Sequence, residues 1–153
     1  MASRDVKQSL RLRLIDVTVP VQIRLWRMTA HPMVQEIETG FERVRCLAEA
    51  AGLPETTVGT SYGTPALLVK GKSFVRMKDA ETLVVMCALE EKEMLMELDP
   101  SLFFETDHYK GWPAMLVRLA AIDDQALTQR LIAAWRQKAP KRLAASFDAA
   151  SLP

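Results

Sequence analysis

From Thr56 onward the chain reads as a run of short extended segments joined by turns too short for a crossover, and this constrains the fold more than any other feature. Residues 56–61 are rich in β-branched side chains, and Gly63-Thr64-Pro65 breaks the run. Residues 66–70, 73–78 and 82–89 follow as three further strands. Gly71-Lys72 is a turn of hairpin length, and Lys78-Asp79-Ala80-Glu81 is a second. Parallel neighbours need a connection of about a dozen residues, so strands joined this way pair antiparallel.

Helical spacing surrounds this block. Val34, Ile37, Phe41, Val44, Leu47, Ala48 and Ala51 recur at steps of three and four, which is one face of a helix. Gly52 supplies a left-handed cap and Pro54 blocks continuation. Residues 90–98 read as a short helix with acids in the first turn, ended by Asp99-Pro100. Residues 102–105 form a short extended piece, and Trp112-Pro113 opens a strand over 114–120. Asp123 or Asp124 caps a last helix with Leu127, Leu131, Ile132 and Trp135 facing inward, and Pro140 stops it. The Ala/Ser-rich residues 143–153 make a short tail, in which a helix from Lys141 frays. The expected fold class is α+β: one domain, an antiparallel sheet with helices packed on one side.

The first 32 residues differ in character. Ile15, Val17, Val19, Val21, Ile23 and Leu25 alternate with Asp16, Thr18, Pro20, Gln22 and Arg24, a period-two pattern that Pro20 restricts to a sheet edge. The segment reads as an edge strand, a leader, or upstream sequence ahead of a later start at Met28 or Met33. A basic leader outside the core domain is the favoured reading. Residues 1–32 hold six basic and two acidic groups, so the remainder of the chain carries 14 basic against 17 acidic. Duplex binding driven by charge needs a basic surface, so any such surface here must be a local patch. Cys46 and Cys87 lie inside apolar patterns with no CxxC or CxxH spacing, which argues against structural zinc and fits a reducing cytoplasm. No run of 18 apolar residues is present, so no membrane partner is expected.

An ordered set of short motifs links residues 34–142 to a family. It comprises the Leu-Pro-Glu after the first helix, Gly-Thr-Pro before the second strand and Gly-Lys-Ser-Phe in the hairpin. It continues with Asp-Pro after the short helix, Asp-His-Tyr-Lys-Gly-Trp-Pro, and Ala-Trp-Arg-Gln-Lys-Ala-Pro-Lys at the end of the last helix. This set resembles the MmcQ/YjbR family of small bacterial α+β proteins. The resemblance implies a core domain over 33–142 and a DNA-binding-like shape, described for some members as double-winged. It supplies no catalytic motif.

Several residue groups carry candidate chemistry. Gly71-Lys72-Ser73 looks like the end of a phosphate-binding loop, but Ala66 stands where the first glycine belongs and a strand follows in place of a helix. Lys70, Lys72, Arg76 and Lys78 cluster on one hairpin, and alternation puts Phe74 on the face of Arg76 and Lys78. Cations around an aromatic can grip phosphate and stack on a base, or can simply form a solvated face that shields Phe74. Arg136, Lys138, Lys141 and Arg142, together with Arg130, make a second basic segment, which would matter if it lay beside the hairpin. His108, Tyr109 and Trp112 are candidates for a small ligand pocket. Glu105, Asp107 and His108 are too few and too close in sequence to hold a metal alone. The combined reading is a non-enzymatic cytoplasmic protein, monomer or homodimer, that contacts DNA through its basic hairpin and needs no cofactor. The alternative is a protein-interaction or small-ligand module with no nucleic-acid role.

Overall fold

The computed structural model describes residues 32–151; the alternating segment and His31 lie outside the described residues. The chain divides into two units, 1–35 and 36–153, and the second holds the sheet. In chain order the elements are helix α1 (Pro32–Ala50), strands β1 (Thr56–Ser61), β2 (Thr64–Val69), β3 (Lys72–Met77) and β4 (Thr82–Met86), and helix α2 (Leu89–Leu98). Strand β5 (Phe103–Phe104), a 3-10 turn (Asp107–Tyr109), strand β6 (Ala114–Arg118), helix α3 (Asp124–Lys138) and helix α4 (Lys141–Ser151) follow. The six strands form one antiparallel sheet in the order β1-β2-β3-β4-β6-β5. The α+β class expected from the sequence is what the structure has.

Two tight turns set the register. Ser61 pairs with Thr64 and Val69 with Lys72, which leaves two-residue loops at Tyr62-Gly63 and Lys70-Gly71. All four loop residues have positive φ, the type I′ geometry that matches strand twist. The β2–β3 turn is therefore Lys70-Gly71 and not Gly71-Lys72.

One face of the sheet is buried by the helices. Leu67, Val69, Val75, Met77, Leu83, Val85, Met115 and Val117 meet Phe41, Val44 and Ala48 of α1 and Leu127, Leu131, Ala134 and Trp135 of α3. Helix α3 lies over β3 and β4. Each of α1–α4 contributes to this cluster, whereas the small cluster on the other face, Val84, Tyr109, Ala114 and Leu116, takes no apolar residue from α1–α4 among the described residues. Gly40 permits the close approach of α1, since a Cβ there would stand 2.9 Å from Leu119 Cδ2. Arg43 fixes the same helix by donating to the carbonyls of Leu119 and Ile122, each at 2.6 Å, and by pairing with Asp124 at 2.8 Å. Asp123 is the cap of α3, accepting from the amide of Ala126 at 2.7 Å.

Trp135 closes this core. It is fully buried, its indole donates to the carbonyl of Pro54 at 3.1 Å, and its ring lies 5.2 Å from that of Phe147 in α4. The boundary expected at residue 142 falls inside α4, whose Leu143, Ala144 and Phe147 pack against the core. Trp135→Ala should lower unfolding stability by about 3–5 kcal/mol, because it opens a large cavity and orphans a carbonyl. Urea denaturation followed by circular dichroism measures this.

Candidate nucleic-acid interface

The basic hairpin is not the flat alternating ribbon that its sequence suggests. Leu67 pairs with Val75 but Leu68 pairs with Ser73, so Phe74 is the extra residue of a β-bulge. The bulge turns Phe74 into the core, where it is fully buried beside Val75. The expectation that Phe74 shares a face with Arg76 and Lys78 is thereby corrected: a residue inserted in the strand breaks the period of two, and this ring is not available to a ligand. Arg76 does point to the face away from the helices. It donates to the Tyr109 hydroxyl at 2.5 Å, and its guanidinium carbon lies 5.1 Å from the centroid of Tyr62. Lys70 pairs with Glu55 at 3.3 Å and Lys78 with Asp79 at 3.7 Å, both solvent-exposed contacts of the kind worth little in water.

Contacts link the loop before β1 both to the hairpin tip and to the end of α3. Lys70 contacts Glu55, the preceding Pro54 accepts from Trp135, and Trp135 is followed by Arg136, Lys138, Lys141 and Arg142. Arg136 pairs with Asp148 at 2.6 Å. Arg130 points elsewhere, to Glu91 at 2.6 Å, and ties α3 to α2. Among the described residues, Lys72, Lys138, Lys141 and Arg142 form no ion pair. Of the 17 acids in residues 33–153, eight sit on α1 and α2.

The segment Glu105–Trp112 is held by a residue that sequence reasoning missed. Lys92 of α2 is 2% exposed, and its ammonium donates to the carbonyls of Tyr109 at 2.7 Å and Trp112 at 3.1 Å while pairing with Glu105 at 2.5 Å. One signal was present: Lys92 lies three residues before buried Leu95, on the helix face that should be apolar. Asp107 is paired with Lys110 at 2.8 Å. Two of the three side chains considered as metal ligands are thus engaged by lysines, and no group of three or more His, Cys, Asp or Glu that could hold a metal occurs among the described residues.

His108, Tyr109 and Trp112 do not enclose a pocket together. Tyr109 is buried against the sheet, His108 stands edge-on to it at 4.9 Å, and Trp112 is 64% exposed. A groove of about 350 Å3 lies elsewhere, between the end of α1 and β1–β2, with Leu53, Val58 and Leu67 as apolar walls and Arg45 and Glu49 beside them. Cys87 is buried, with its thiol 3.7 Å from the carboxylate of Glu91, and burial together with that negative charge pushes its pKa up to about 11. Cys46 is exposed. No described helix is long and apolar enough to cross a membrane.

Comparison with known proteins adds a family. A family model described as YjbR matches residues 51–137, more than half of the chain. Curated relatives include an uncharacterised protein of Mycobacterium bovis and uncharacterised proteins from two strains of Mycobacterium tuberculosis, each 42% identical over 60 residues. The matched stretch is 39% of this chain and 46% of each relative, so the chain spans about half the length of the curated proteins it matches. No solved structure gives a significant match.

Two outcomes follow from the geometry. Lys92→Met should cost about 3 kcal/mol in a urea melt by leaving Glu105 and two carbonyls without their partner, and adding Glu105→Gln should recover part of that loss. At pH 8 iodoacetamide should modify Cys46 and spare Cys87, whose thiolate fraction at a pKa of about 11 is roughly one in a thousand. Peptide mass spectrometry distinguishes the two cysteines, and both should react once urea unfolds the protein.

Proposed function

We propose that this chain, which belongs to the YjbR family, is a non-enzymatic DNA-binding protein of the cytoplasm that grips duplex phosphates with one end of its sheet. The observation that supports the reading is the contact series Lys70–Glu55, Pro54–Trp135, which links the hairpin tip to the end of α3, from which the C-terminal cations follow in sequence. Lys72, Lys138, Lys141 and Arg142 are the contacts that require no ion pair among the described residues to break. Lys70 and Arg136 lie in weak exposed pairs that a phosphate can displace. The domain remains acidic elsewhere, so the reading implies modest affinity and a well-defined orientation, with α1 and α2 turned away from the backbone. The helical groove beside Arg45 favours the other reading, a small-ligand module, which predicts no salt-sensitive DNA binding at all.

The test is a salt titration of the full chain against a fluorescent duplex. Affinity should fall with ionic strength, with a logarithmic slope of about −0.9 for each phosphate contacted. Replacing Lys72, Lys138, Lys141 and Arg142 by Ala should remove most of both the affinity and the slope. No binding by the intact chain at low salt would contradict the proposal.

A further inference from the structure

The face of the sheet turned away from the helices has an unusual inventory. None of the six strands contains an Asp or Glu, while β3 and β6 each place an arginine on this face. The register sets Arg76 opposite Val84, Val84 opposite Leu116, and Arg118 two residues beyond Leu116. Two strand spacings across and two residues along put the arginine backbones about 12 Å apart. Neither arginine has a carboxylate partner among the described residues. Each instead lies against an aromatic ring, Arg76 at 5.1 Å from Tyr62 and Arg118 at 4.1 Å from Phe104.

Tyr62 is the second observation. It is 91% exposed and sits at φ 52° in a type I′ turn, a position that suits Asn, Asp or Gly. A large aromatic there adopts a disfavoured backbone and buries almost nothing, so its ring is presented outward with a guanidinium behind it.

We propose that this open face binds single-stranded nucleic acid, with phosphates on Arg76 and Arg118 and an unpaired base stacked on Tyr62. The charge complementarity is one-signed across the strands, and the cation–aromatic pairs suit a ligand that alternates negative charge with planar rings. A duplex keeps its base faces hidden and cannot use Tyr62. The proposal concerns a different surface from the duplex-binding end and does not depend on it.

The experiment measures fluorescence anisotropy of a labelled oligothymidylate and a labelled duplex, each titrated with the full chain. Tyr62→Asn, which suits the turn, should weaken oligothymidylate binding about tenfold and leave duplex binding unchanged. Arg118→Gln, at an exposed side chain, is the second variant and should weaken oligothymidylate binding several-fold, with circular dichroism confirming that the fold is retained. Oligothymidylate binding equal to that of the unaltered chain in both folded variants would overturn the proposal. Loss of that binding only when Lys72, Lys138, Lys141 and Arg142 are replaced would overturn it too, and would assign the single strand to the sheet's end. Loss of duplex binding alone in that fourfold variant would separate the two surfaces as the proposal requires.

Discussion

One-sided burial is the constraint from which the rest of this structure follows. Helices α1 and α3 cover one face of the sheet and bury a continuous apolar layer. Among the described residues no α-helix adds an apolar side chain to the other face, where Tyr109, Phe104 and the arginine stems shelter a smaller apolar strip around Val84 and Leu116. An antiparallel sheet tolerates this arrangement because its strands can alternate apolar-in with polar-out. The cost of leaving a face open is met by side chains that are amphipathic themselves: arginine covers apolar surface with its stem and keeps its charge in water. The same solution leaves Arg76 and Arg118 without a carboxylate partner among the described residues.

Polar anchors then fix what the apolar layer alone leaves loose. Arg43 satisfies the carbonyls of the loop before α3 and holds α1 to it. Lys92 does the same for the loop after β5, binding two carbonyls and Glu105 from an almost fully buried position. Trp135 joins the α3 end to Pro54. These contacts share a logic, since a loop folded against a core must satisfy its backbone oxygens internally, and a long cationic side chain reaches several at once. The Trp135 contact also joins residues from the two ends of the domain sequence.

The architecture was legible in the sequence because its signals are local. The apolar steps from Ile37 to Ala51, the β-branched block from Thr56 and the cap at Asp123 each report their own element. What was not legible depends on single insertions and long-range contacts. Phe74 is misplaced by strict alternation because a bulge adds one residue to β3, and nothing local marks it. Lys92 looks like one more charge in a charged helix until the loop that accepts its protons is folded against it. Trp112, a candidate for a pocket wall in the sequence, stands exposed, while Tyr109 of the 3-10 turn is the ring committed to the sheet. The spacing of the two basic segments was posed by the sequence as a question of distance, which periodicity cannot answer; the Trp135–Pro54 contact ties the end of α3 to the loop before β1.

The central claim is that the cations left without carboxylates mark the surfaces that meet nucleic acid. The most direct measurement is the change in amide chemical shifts of the 15N-labelled full chain as a short duplex is titrated in at low salt. The account predicts shifts concentrated at residues 70–73 and 136–142, with α1 and α2 unmoved. Shifts confined to the helical groove beside Arg45, or no shifts at any residue, would contradict it.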